Sequence, residues 1–379
     1  MFRSDRLAIE TCVVSTKTRW VFIRIERDDG RVGVGEATLN GREGALLAAA
    51  ADFTTRALSH AVTTPAEFAA GVTPRDLVQA TVVSAIDCAL WDLHAQDAGV
   101  PLVEALGGAR HTSIPAYANI NRRTLDRTPR GFAQSARDAL AAGFHAIKIA
   151  PFDEVSIGAC ARGDASALIQ AGIARIAAVR DVCGPDRRLM VDCHWRFDEA
   201  NALRAIDAAV ELNVHWIECP LPEARENVPA LVNLRRHANS RGVLLAGMEQ
   251  GVGSEDFRPY CAAGAYDVMM PDVKYVGGFD EMLRCARLLQ RHGVAVSLHN
   301  PSGPVAHAAS LHVCAALDRF DLLELQFDES PLFDRFVSGL PPRIAGSSML
   351  PGGSGLGVQL DQRLVNSHRD PPLTRIFEA

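Results

Sequence analysis

The sequence predicts an α/β protein: a (β/α)-barrel of the modified TIM-barrel type with an α+β capping domain. From about residue 114 onward, eight short β-rich segments alternate with segments whose apolar residues recur at helical spacing, which is typical of parallel strands joined by crossover helices. A chain of 379 residues suits a barrel of typical size plus a smaller domain. Polar residues close seven of the predicted strands about one βα unit apart, at Lys148, Asp192, Glu218, Glu249, Asp272, His299 and Glu324.

Three parts of the chain differ in pattern. We expect residues 1–113 to form most of the cap, with two strands (AIETCVVS and WVFIRIER), a glycine-rich turn and loop (DDGRVGVGEATLNGRE), and then helices. Residues 114–328 form the predicted barrel, with an insertion (PFDEVSIGACARGDAS) after its second strand. Residues 329–379 are rich in Pro and Gly and are expected to return and complete the cap. The barrel strands are predicted at SIPAYANI, HAIKIA, RLMVDC, VHWIEC, VLLAGM, DVMMP, VAVSLH and DLLELQ.

The composition argues against several classes of protein. A net charge of −6 without long runs of one sign offers no basic surface for nucleic acid or an anionic membrane. Nine cysteines without a CxxC pair are poorly spaced for zinc or disulfides, so we expect free thiols. The first residues lack the apolar segment of a signal peptide, and no stretch reaches the roughly 18 apolar residues of a membrane span. We therefore expect a soluble, cytoplasmic protein.

Three consecutive predicted strands end in an acid: Asp192 in VDC, Glu218 in IEC and Glu249 in GME. Successive strand ends are neighbours at the catalytic face of a barrel, so these carboxylates would repel one another unless a cation lay between them. Oxygen ligands suit a hard cation, and Mg²⁺ is the expected ion. A single acid at a strand end is more often solvated or paired with an arginine, but three in consecutive strands favour a metal site.

The next strands predict a general base. Asp272 (MMPD) and His299 (SLHN) end neighbouring strands, where the carboxylate can orient the imidazole and raise its basicity. Alone, this pair would as often be a surface histidine beside an unrelated aspartate. Its position opposite the acid cluster favours a His–Asp dyad.

Two further residues are candidate active-site residues at the mouth of the barrel. Lys148 (AIKIA) could bind a carboxylate oxygen or stabilise an enediolate, although a lysine that ends a strand is often only solvated. His194 follows Asp192 by two residues, so strand alternation would place both side chains on one side. His194 could protonate a leaving hydroxyl or merely hold a metal ligand in place.

Other polar residues are expected to be structural. Lys274 would form a salt bridge with an acid. Asp87 and Asp92, on a cap helix, would bind neighbouring backbone or an arginine. His307 and His312 fall in the apolar pattern of the helix after the seventh strand and would pack there.

At these residues the sequence resembles the enolase superfamily, and within it the mandelate racemase-type subgroup. The resemblance covers nearly the whole chain: the cap phrases GVGEATLNG and SAIDCALWDLHAQDAGVPLVEALGG, the barrel phrases VDCH, WIECPLPE, GMEQ and PDVKYVGGFDEM, and the closing GLGVQL. It implies that Asp192, Glu218 and Glu249 bind Mg²⁺ and that Asp272 and His299 are the base dyad.

The resemblance also implies how a substrate is held. Glu324 would hydrogen-bond the substrate carboxylate. The cap loop near Asn40 and Arg42 would close over the mouth and select the far end of the substrate.

One departure from the family pattern narrows the reaction. The family often carries K-x-K at the end of strand two, whereas this chain has Lys148-Ile149-Ala150, so the second lysine base is missing. A racemase that moves a proton between opposite faces is therefore disfavoured. The D-x-H of strand three, together with the dyad, is similar to the D-galactonate dehydratase pattern.

The resemblance thus implies a Mg²⁺-dependent lyase of sugar-acid catabolism that dehydrates an aldonate or aldarate to a 2-keto-3-deoxy acid. His299 would remove the proton α to the carboxylate, Lys148 and Mg²⁺ would stabilise the enediolate, and His194 would protonate the departing β-hydroxyl. The alternatives are a racemase, epimerase or lactone cycloisomerase, and a non-catalytic member that only binds a sugar acid. A homo-oligomer is expected.

Overall fold

The computed structural model describes residues 4–59, 62 and 64–378. Its N-terminal part is an antiparallel sheet of β1 (Ser4–Val13), β2 (Arg19–Arg27) and β3 (Val32–Glu36). The last strand, β15 (Arg375–Glu378), pairs with β1 and extends this sheet to four strands. The helices that follow the sheet in the chain are α1 (Glu43–Ala57), α2 (Pro65–Ala69), α3 (Leu77–Ala98) and α4 (Leu102–Ala105).

The third strand of the cap corrects the sequence analysis, which assigned VGVGE to a turn and loop. Gly33 and Gly35 lie two residues apart in β3, so a side chain at either position would lie on the face that packs against helix α3. A Cβ atom at these two positions would lie 2.1 Å from the Ala89 carbonyl oxygen and 2.0 Å from that of Ala85. The glycines are therefore required by the close approach of a strand and a helix.

Eight parallel strands form the barrel, in the predicted order. From the first strand to the seventh, each strand pairs with the next one along the chain. The eighth strand pairs with the first. Between the seventh and eighth, Asp321 N donates to Val296 O (2.7 Å) and Glu324 N to Leu298 O (3.2 Å), which closes the barrel. The strands are β4 (Ser113–Asn119), β5 (Ala146–Ile149), β6 (Arg188–Asp192), β7 (Trp216–Glu218), β8 (Leu244–Gly247), β9 (Val268–Met269), β10 (Ala295–Val296) and β11 (Leu323–Gln326).

Helices connect the barrel strands, and several start at a residue whose side chain caps the helix. Thr128 accepts a hydrogen bond from Gly131 N, and Asp198 accepts one from Asn201 N. His307 and His312 are buried in the last of these helices, which confirms their predicted packing role. The helices are α5 (Pro129–Ala141), α6 (Ile157–Ala161), α7 (Ala165–Cys183), α8 (Glu199–Glu211), α9 (Val228–Asn239), α10 (Gly253–Ala263), α11 (Phe279–Arg291) and α12 (Pro304–Ala316).

The segment after β11 is more regular than its composition suggests. Strand β12 (Val337–Ser338) pairs with β14 (Gln359–Leu360), and β13 (Ser347–Met349) pairs antiparallel with barrel strand β4. Helix α13 (Gln362–His368) then leads to β15. This segment therefore contacts both the barrel and the cap sheet.

The insertion after β5 packs against the loop that follows β6. The Phe152 ring lies 4.9 Å from that of Phe197, and the Arg196 guanidinium donates to the carbonyl oxygens of Asp153 (2.8 Å) and Val155 (2.9 Å). The insertion thus supports the chain next to the end of β6. The carboxylates of Asp153 and Glu154 bind arginines, at Arg127 and Arg175.

Buried acids of the cap bind the N-terminal ends of two barrel helices. The Glu36 carboxylate accepts from Gly303 N (2.6 Å) and Ala306 N (2.9 Å) at the start of α12. The Asp87 carboxylate accepts from Phe279 N (2.8 Å) at the start of α11. Burial raises the pKa of Asp87 to about 8. These contacts attach the cap to the barrel helices that follow β9 and β10.

Asp92 has a similar structural role. It accepts from Val34 N (3.1 Å) in the cap sheet and from Leu356 N (2.8 Å) in the C-terminal segment. The prediction that Asp87 and Asp92 bind neighbouring backbone is confirmed. All nine cysteines are buried free thiols, as expected. Over the described part of the chain, none of the helices combines the length and apolar character that a membrane span requires.

Candidate active site

Three carboxylates meet at the mouth of the barrel. Asp192 and Glu218 are the last residues of β6 and β7, and Glu249 lies two residues beyond β8. One oxygen from each lies within 4.8 Å of the others, and all three side chains are buried. The strands are adjacent in the sheet, so the ends that carry these acids converge.

Left-handed backbone turns the chain sharply after each of these strands. His194 (φ 48°), Cys219 (φ 47°) and Met248 (φ 68°) all adopt this conformation, which is uncommon for residues other than glycine. Backbone hydrogen bonds hold the turns, from Cys193 N to Glu218 O (2.9 Å) and from Cys219 N to Ala246 O (3.0 Å). Non-glycine left-handed residues cluster at functional sites, where the surrounding structure compensates for their cost.

The electrostatics of the three acids indicate a place for positive charge. Burial and the neighbouring Asp192 and Glu218 carboxylates raise the pKa of Glu249 well above its usual range. Burial raises the pKa of Glu218 to about 7, even though the Lys148 ammonium opposes it. Asp192 is also buried, but His194 and Lys148 outweigh that effect and lower its pKa to about 2.

These residues fit a divalent cation. The buried Glu249 Oε2 atom has no hydrogen-bond partner among the described residues. A buried carboxylate oxygen without a partner is costly, and a metal ion would supply the missing contact. The donors are all carboxylate oxygens, which suit a hard cation.

Lys148 lies inside this network rather than in solvent. Its ammonium contacts Glu218 Oε1 (2.6 Å) and Glu324 Oε1 (3.0 Å), and its side chain is buried. Burial lowers the pKa of Lys148, but the two carboxylates outweigh burial and raise it well above its ordinary value. Lys148 therefore stays charged between the acid cluster and Glu324.

Sequence analysis missed two asparagines that hold Glu324. The Asn119 side-chain amide donates to Glu324 Oε1 (2.6 Å), and Asn300 N donates to Glu324 Oε2 (3.0 Å). Asn119 is the last residue of the first barrel strand, so the same strand-end pattern that selected the acids could have found it. Asn300 could have been found from its place directly after His299.

The Asp272–His299 pair is present with hydrogen-bonding geometry. His299 Nδ1 lies 2.8 Å from Asp272 Oδ2, so its Nε2 atom faces Glu249 Oε2 at 3.5 Å. Lys274 contacts the same Asp272 oxygen at 2.5 Å, which confirms the predicted salt bridge. Burial lowers the pKa of His299, so the ring stays neutral and available as a base.

His194 also lies beside the acids, but the argument from strand alternation was wrong. Strand β6 ends at Asp192, and the left-handed turn at His194 brings the ring back to Asp192. Its Nε2 atom lies 2.8 Å from Asp192 Oδ2, and 35% of the side chain is exposed. Burial lowers the pKa of His194, but the Asp192 carboxylate outweighs burial and raises it above its ordinary value.

Arg42 is not part of this network within the described residues. It is exposed and precedes the first turn of α1. The loop just before it does contact the barrel, because the Tyr275 hydroxyl donates to Thr38 O (3.3 Å). Tyr275 in turn lies beside His299, with ring centroids 6.0 Å apart.

Family models match both parts of the chain. Residues 4–107 match the mandelate racemase / muconate lactonizing enzyme N-terminal domain, and residues 131–364 match the enolase C-terminal domain-like family. The chain belongs to the enolase superfamily. The resemblance seen in the sequence is thereby confirmed, and enolase-superfamily proteins typically bind a divalent metal at such an acid cluster.

Curated relatives in the enolase superfamily are mostly named as sugar-acid dehydratases. The chain is 30% identical to D-gluconate dehydratase of Thermoproteus tenax, over 94% of this chain and 72% of that protein. It is 30% identical to D-galactonate dehydratase of Verminephrobacter eiseniae (78% and 75%) and 29% identical to D-galactarolactone cycloisomerase of Agrobacterium fabrum (93% and 91%).

A solved structure shares the whole architecture. A member of the enolase superfamily from Salmonella Typhimurium superposes with a TM-score of 0.85 over 100% of both chains, at 21% identity. This likeness bears on the fold, and it agrees with a (β/α)-barrel that carries an N-terminal cap.

Proposed function

We propose that this enolase-superfamily protein is a Mg²⁺-dependent dehydratase of an aldonate or aldarate. It removes the proton α to the carboxylate and eliminates the β-hydroxyl, which yields a 2-keto-3-deoxy acid. The observation that carries the proposal is the placement of two histidines beside one acid cluster: His299 lies at Glu249 and His194 at Asp192. A dehydration needs both a base and an acid, and each histidine can serve as one of them. The names of the relatives support the same reaction class.

Asp192, Glu218 and Glu249 would hold the ion. A bound Mg²⁺ supplies Lewis-acid stabilisation of the negative charge that develops on the substrate carboxylate. Lys148 adds a fixed positive charge next to Glu218. Glu324 lies at hydrogen-bonding distance from Lys148 and is held there by Asn119 and Asn300. Lys148 is therefore suited to bind and orient the substrate carboxylate. Glu324 is proposed as a second contact, for which its carboxyl group must carry a proton to donate.

His299 is the proposed base. Its Nδ1–H donates to Asp272, which leaves the Nε2 lone pair free to accept the proton from the α-carbon. Lys274 neutralises Asp272, and both are buried, so the carboxylate orients the ring without titrating itself. Ala150 cannot exchange a proton, so the second lysine base of the family pattern is missing two residues after Lys148.

His194 is the proposed acid. Asp192 raises its pKa, so the ring can carry the proton that the departing β-hydroxyl needs to leave as water. The partial exposure of the His194 ring lets a substrate reach it. The electron pair of the broken C–H bond forms the enol, which tautomerises to the 2-keto product. Arg42, exposed at the cap loop, remains the proposed contact for the far end of the substrate.

The proposal is tested by incubating the purified protein with a library of aldonates and aldarates in the presence of Mg²⁺. We expect a subset of these acids to give 2-keto-3-deoxy products, detected as semicarbazones. Turnover should disappear with excess chelator and return with Mg²⁺. No product from any library acid, with the metal bound, would contradict the proposal.

A second candidate is a lactone cycloisomerase, because one relative with this name aligns over 93% of the chain. Cycloisomerisation uses the same α-proton chemistry without loss of water. Incubation of sugar lactones in D₂O separates the two reactions. An isomer of unchanged composition that carries solvent deuterium would favour the cycloisomerase, and loss of water would favour the dehydratase.

We also propose that the protein is a cytoplasmic homo-oligomer that takes a small acid sugar as its partner and binds neither nucleic acid nor membranes. The family resemblance supports the homo-oligomer and the acid-sugar substrate. The dispersed charge of −6 argues against binding of nucleic acid or an anionic membrane. Light scattering coupled to size-exclusion chromatography would determine the oligomeric state. A monomer at all concentrations would contradict it.

A further inference from the structure

We propose that Glu223 is a positioning residue that holds together the three loops carrying the metal ligands. This inference rests on the proposed metal site but not on the identity of the substrate. Glu223 lies five residues after Glu218, in the loop that follows β7. It is outside the triad whose oxygens lie close enough to share one ion.

The strongest contact of Glu223 is with the loop after β8. Its Oε1 atom accepts from Met248 N at 2.5 Å and from the Tyr266 hydroxyl at 2.9 Å. Met248 is left-handed, with φ 68°, and directly precedes the ligand Glu249. The backbone that aims Glu249 into the cluster is thus held by a carboxylate from the neighbouring loop.

The same carboxylate lies beside the loops of the other two ligands. Cys219, which follows Glu218 and is also left-handed, has its Sγ atom 3.9 Å from Glu223 Oε1. Trp195, from the loop that carries Asp192, lines the same cavity as Glu223, and its backbone N donates to the Cys219 carbonyl oxygen (2.7 Å). Glu223 therefore contacts the loops of Glu249 and Glu218 directly and lies beside the loop of Asp192.

The strand before Glu249 leaves space for this contact. A Cβ atom at Gly247 would lie 2.4 Å from Glu223 Oε1 and 2.7 Å from the Tyr266 ring. Gly247 does not have a positive φ, so the reason for glycine is space rather than backbone conformation. On the other side, the Tyr260 hydroxyl donates to the Glu223 carbonyl oxygen (2.6 Å) and fixes its backbone.

These contacts define what Glu223 does chemically. Its Oε1 atom accepts hydrogen bonds from Met248 N and the Tyr266 hydroxyl, and Glu223 is outside the triad that could share an ion, so its contribution is to orient the backbone. An amide oxygen in the same place can accept the same hydrogen bonds. Glu223→Gln should therefore preserve the function, and Glu223→Ala should not.

The experiment measures binding of Mg²⁺ alone by isothermal titration calorimetry, with Mn²⁺ binding by electron paramagnetic resonance as a second probe. We expect Glu223→Ala to weaken metal affinity by about 10–100-fold, as is typical when a residue that orients a ligand is lost. Glu223→Gln should stay close to the unmodified protein. The matched control is Asp92→Asn, because Asp92 is another buried acid that accepts backbone hydrogen bonds, from the cap sheet and the C-terminal segment instead of the metal-ligand loops.

Gly247→Ala provides a second test that keeps Glu223 itself. The added methyl group should displace the carboxylate and weaken Mg²⁺ binding in the same direction. If Glu223→Ala does not fold, Gly247→Ala decides. Metal affinity that is unchanged in a folded Glu223→Ala or Gly247→Ala protein, or lowered equally in Asp92→Asn, would overturn the proposal.

This readout is independent of the proposed reaction. If no sugar acid is turned over but Glu223→Ala weakens Mg²⁺ binding, the dehydratase proposal fails and the role of Glu223 stands. If a sugar acid is turned over and Glu223→Ala leaves Mg²⁺ binding unchanged, the dehydratase proposal stands and the proposed role of Glu223 fails. Where turnover is found, kcat of Glu223→Ala should recover at high Mg²⁺, which a lost catalytic group would not allow.

Discussion

At the scale of single residues, the site places like charges in a buried position. Glu249 has an oxygen without a hydrogen-bond partner among the described residues, and its pKa is raised by burial and by Asp192 and Glu218. Such an arrangement favours function over stability, because the repulsion must be relieved by a bound cation or by a proton. We therefore expect the metal-free protein to have a lower free energy of unfolding than the protein with a cation bound.

We expect Glu249→Gln to stabilise the metal-free protein and to impair metal binding. Removal of this strained buried carboxyl group should raise the free energy of unfolding by roughly 0.5–2 kcal/mol, as is typical when a destabilised functional site is relieved. Added Mg²⁺ should raise the Tm of the unmodified protein but hardly that of the variant. Thermal unfolding with and without Mg²⁺ measures both effects. Equal Mg²⁺ stabilisation of both proteins would count against Glu249 as a ligand.

The catalytic role of His299 should be separable from metal binding. We expect His299→Asn to reduce turnover of an identified substrate by about 10²–10⁴-fold, because the base is lost, while Mg²⁺ still binds. Initial rates and calorimetry with Mg²⁺ measure the two properties. The control is His312→Gln, because this buried histidine contacts Val103 N and Leu356 O instead of the site. A variant at His299 with normal turnover would exclude it as the base.

At the scale of secondary-structure elements, β3 depends on its glycines. Gly35 faces α3 so closely that a Cβ atom would lie 2.0 Å from the Ala85 carbonyl oxygen. Neither backbone can move without disturbing the cap core between them. The glycine-rich composition that suggested a loop is thus a signature of close strand–helix packing.

Gly35→Ala should destabilise the protein by about 1–3 kcal/mol or more through overpacking. The matched control is Gly44→Ala near the start of α1, where a Cβ atom would meet nothing within 4 Å. That substitution should stabilise the protein by about 0.5–1 kcal/mol, because alanine favours the helix. Urea unfolding of both variants gives the free energies. A neutral Gly35→Ala would contradict the close approach of β3 and α3.

At the scale of the whole molecule, buried acids of the cap link it to the barrel and make stability depend on pH. Asp87 binds the start of α11, and burial raises its pKa from 3.8 to about 8. A carboxyl group whose pKa is higher in the folded protein contributes stability that is present below the unfolded pKa. That stability is lost as the pH rises through the folded value. The nearby Asp280 carboxylate acts in the same direction.

Asp87→Asn should remove this dependence. Between about pH 5 and pH 8, the unmodified protein should lose on the order of 2–4 kcal/mol of unfolding free energy that the variant retains. Urea unfolding at several pH values in this window measures the difference. The asparagine can still accept the hydrogen bond from Phe279 N, so the comparison isolates the charge. A difference between the two proteins that stays constant with pH would contradict the prediction.

Much of the fold and the centre of the site could be predicted from the sequence. All eight barrel strands lie where alternation placed them, because buried parallel strands and their crossover helices leave a strong periodic pattern. Asp192, Glu218, Glu249, Asp272 and His299 could be selected because each lies at or near a strand end, and such ends meet at one face of the barrel. The family resemblance added the expected chemistry of these positions.

Other features depend on neighbours that are distant in the chain. The approach of α3 decides that VGVGE is a strand, and a left-handed turn, rather than strand alternation, brings His194 to Asp192. Lys148 is held by Glu218 and Glu324 from two other strands.

By itself, the sequence determined the order of strands and helices and which acids and histidine lie at the barrel mouth, because these follow from local periodicity and from the rule that parallel strand ends converge. Only the tertiary structure decided the partners of each side chain. Glu223 shows the reason: it contacts Cys219 and Met248, and Cys219 in turn binds Trp195, so that three loops are joined. Such contacts depend on distances of a few ångströms, set by packing of the whole barrel, and leave no periodic pattern in the chain.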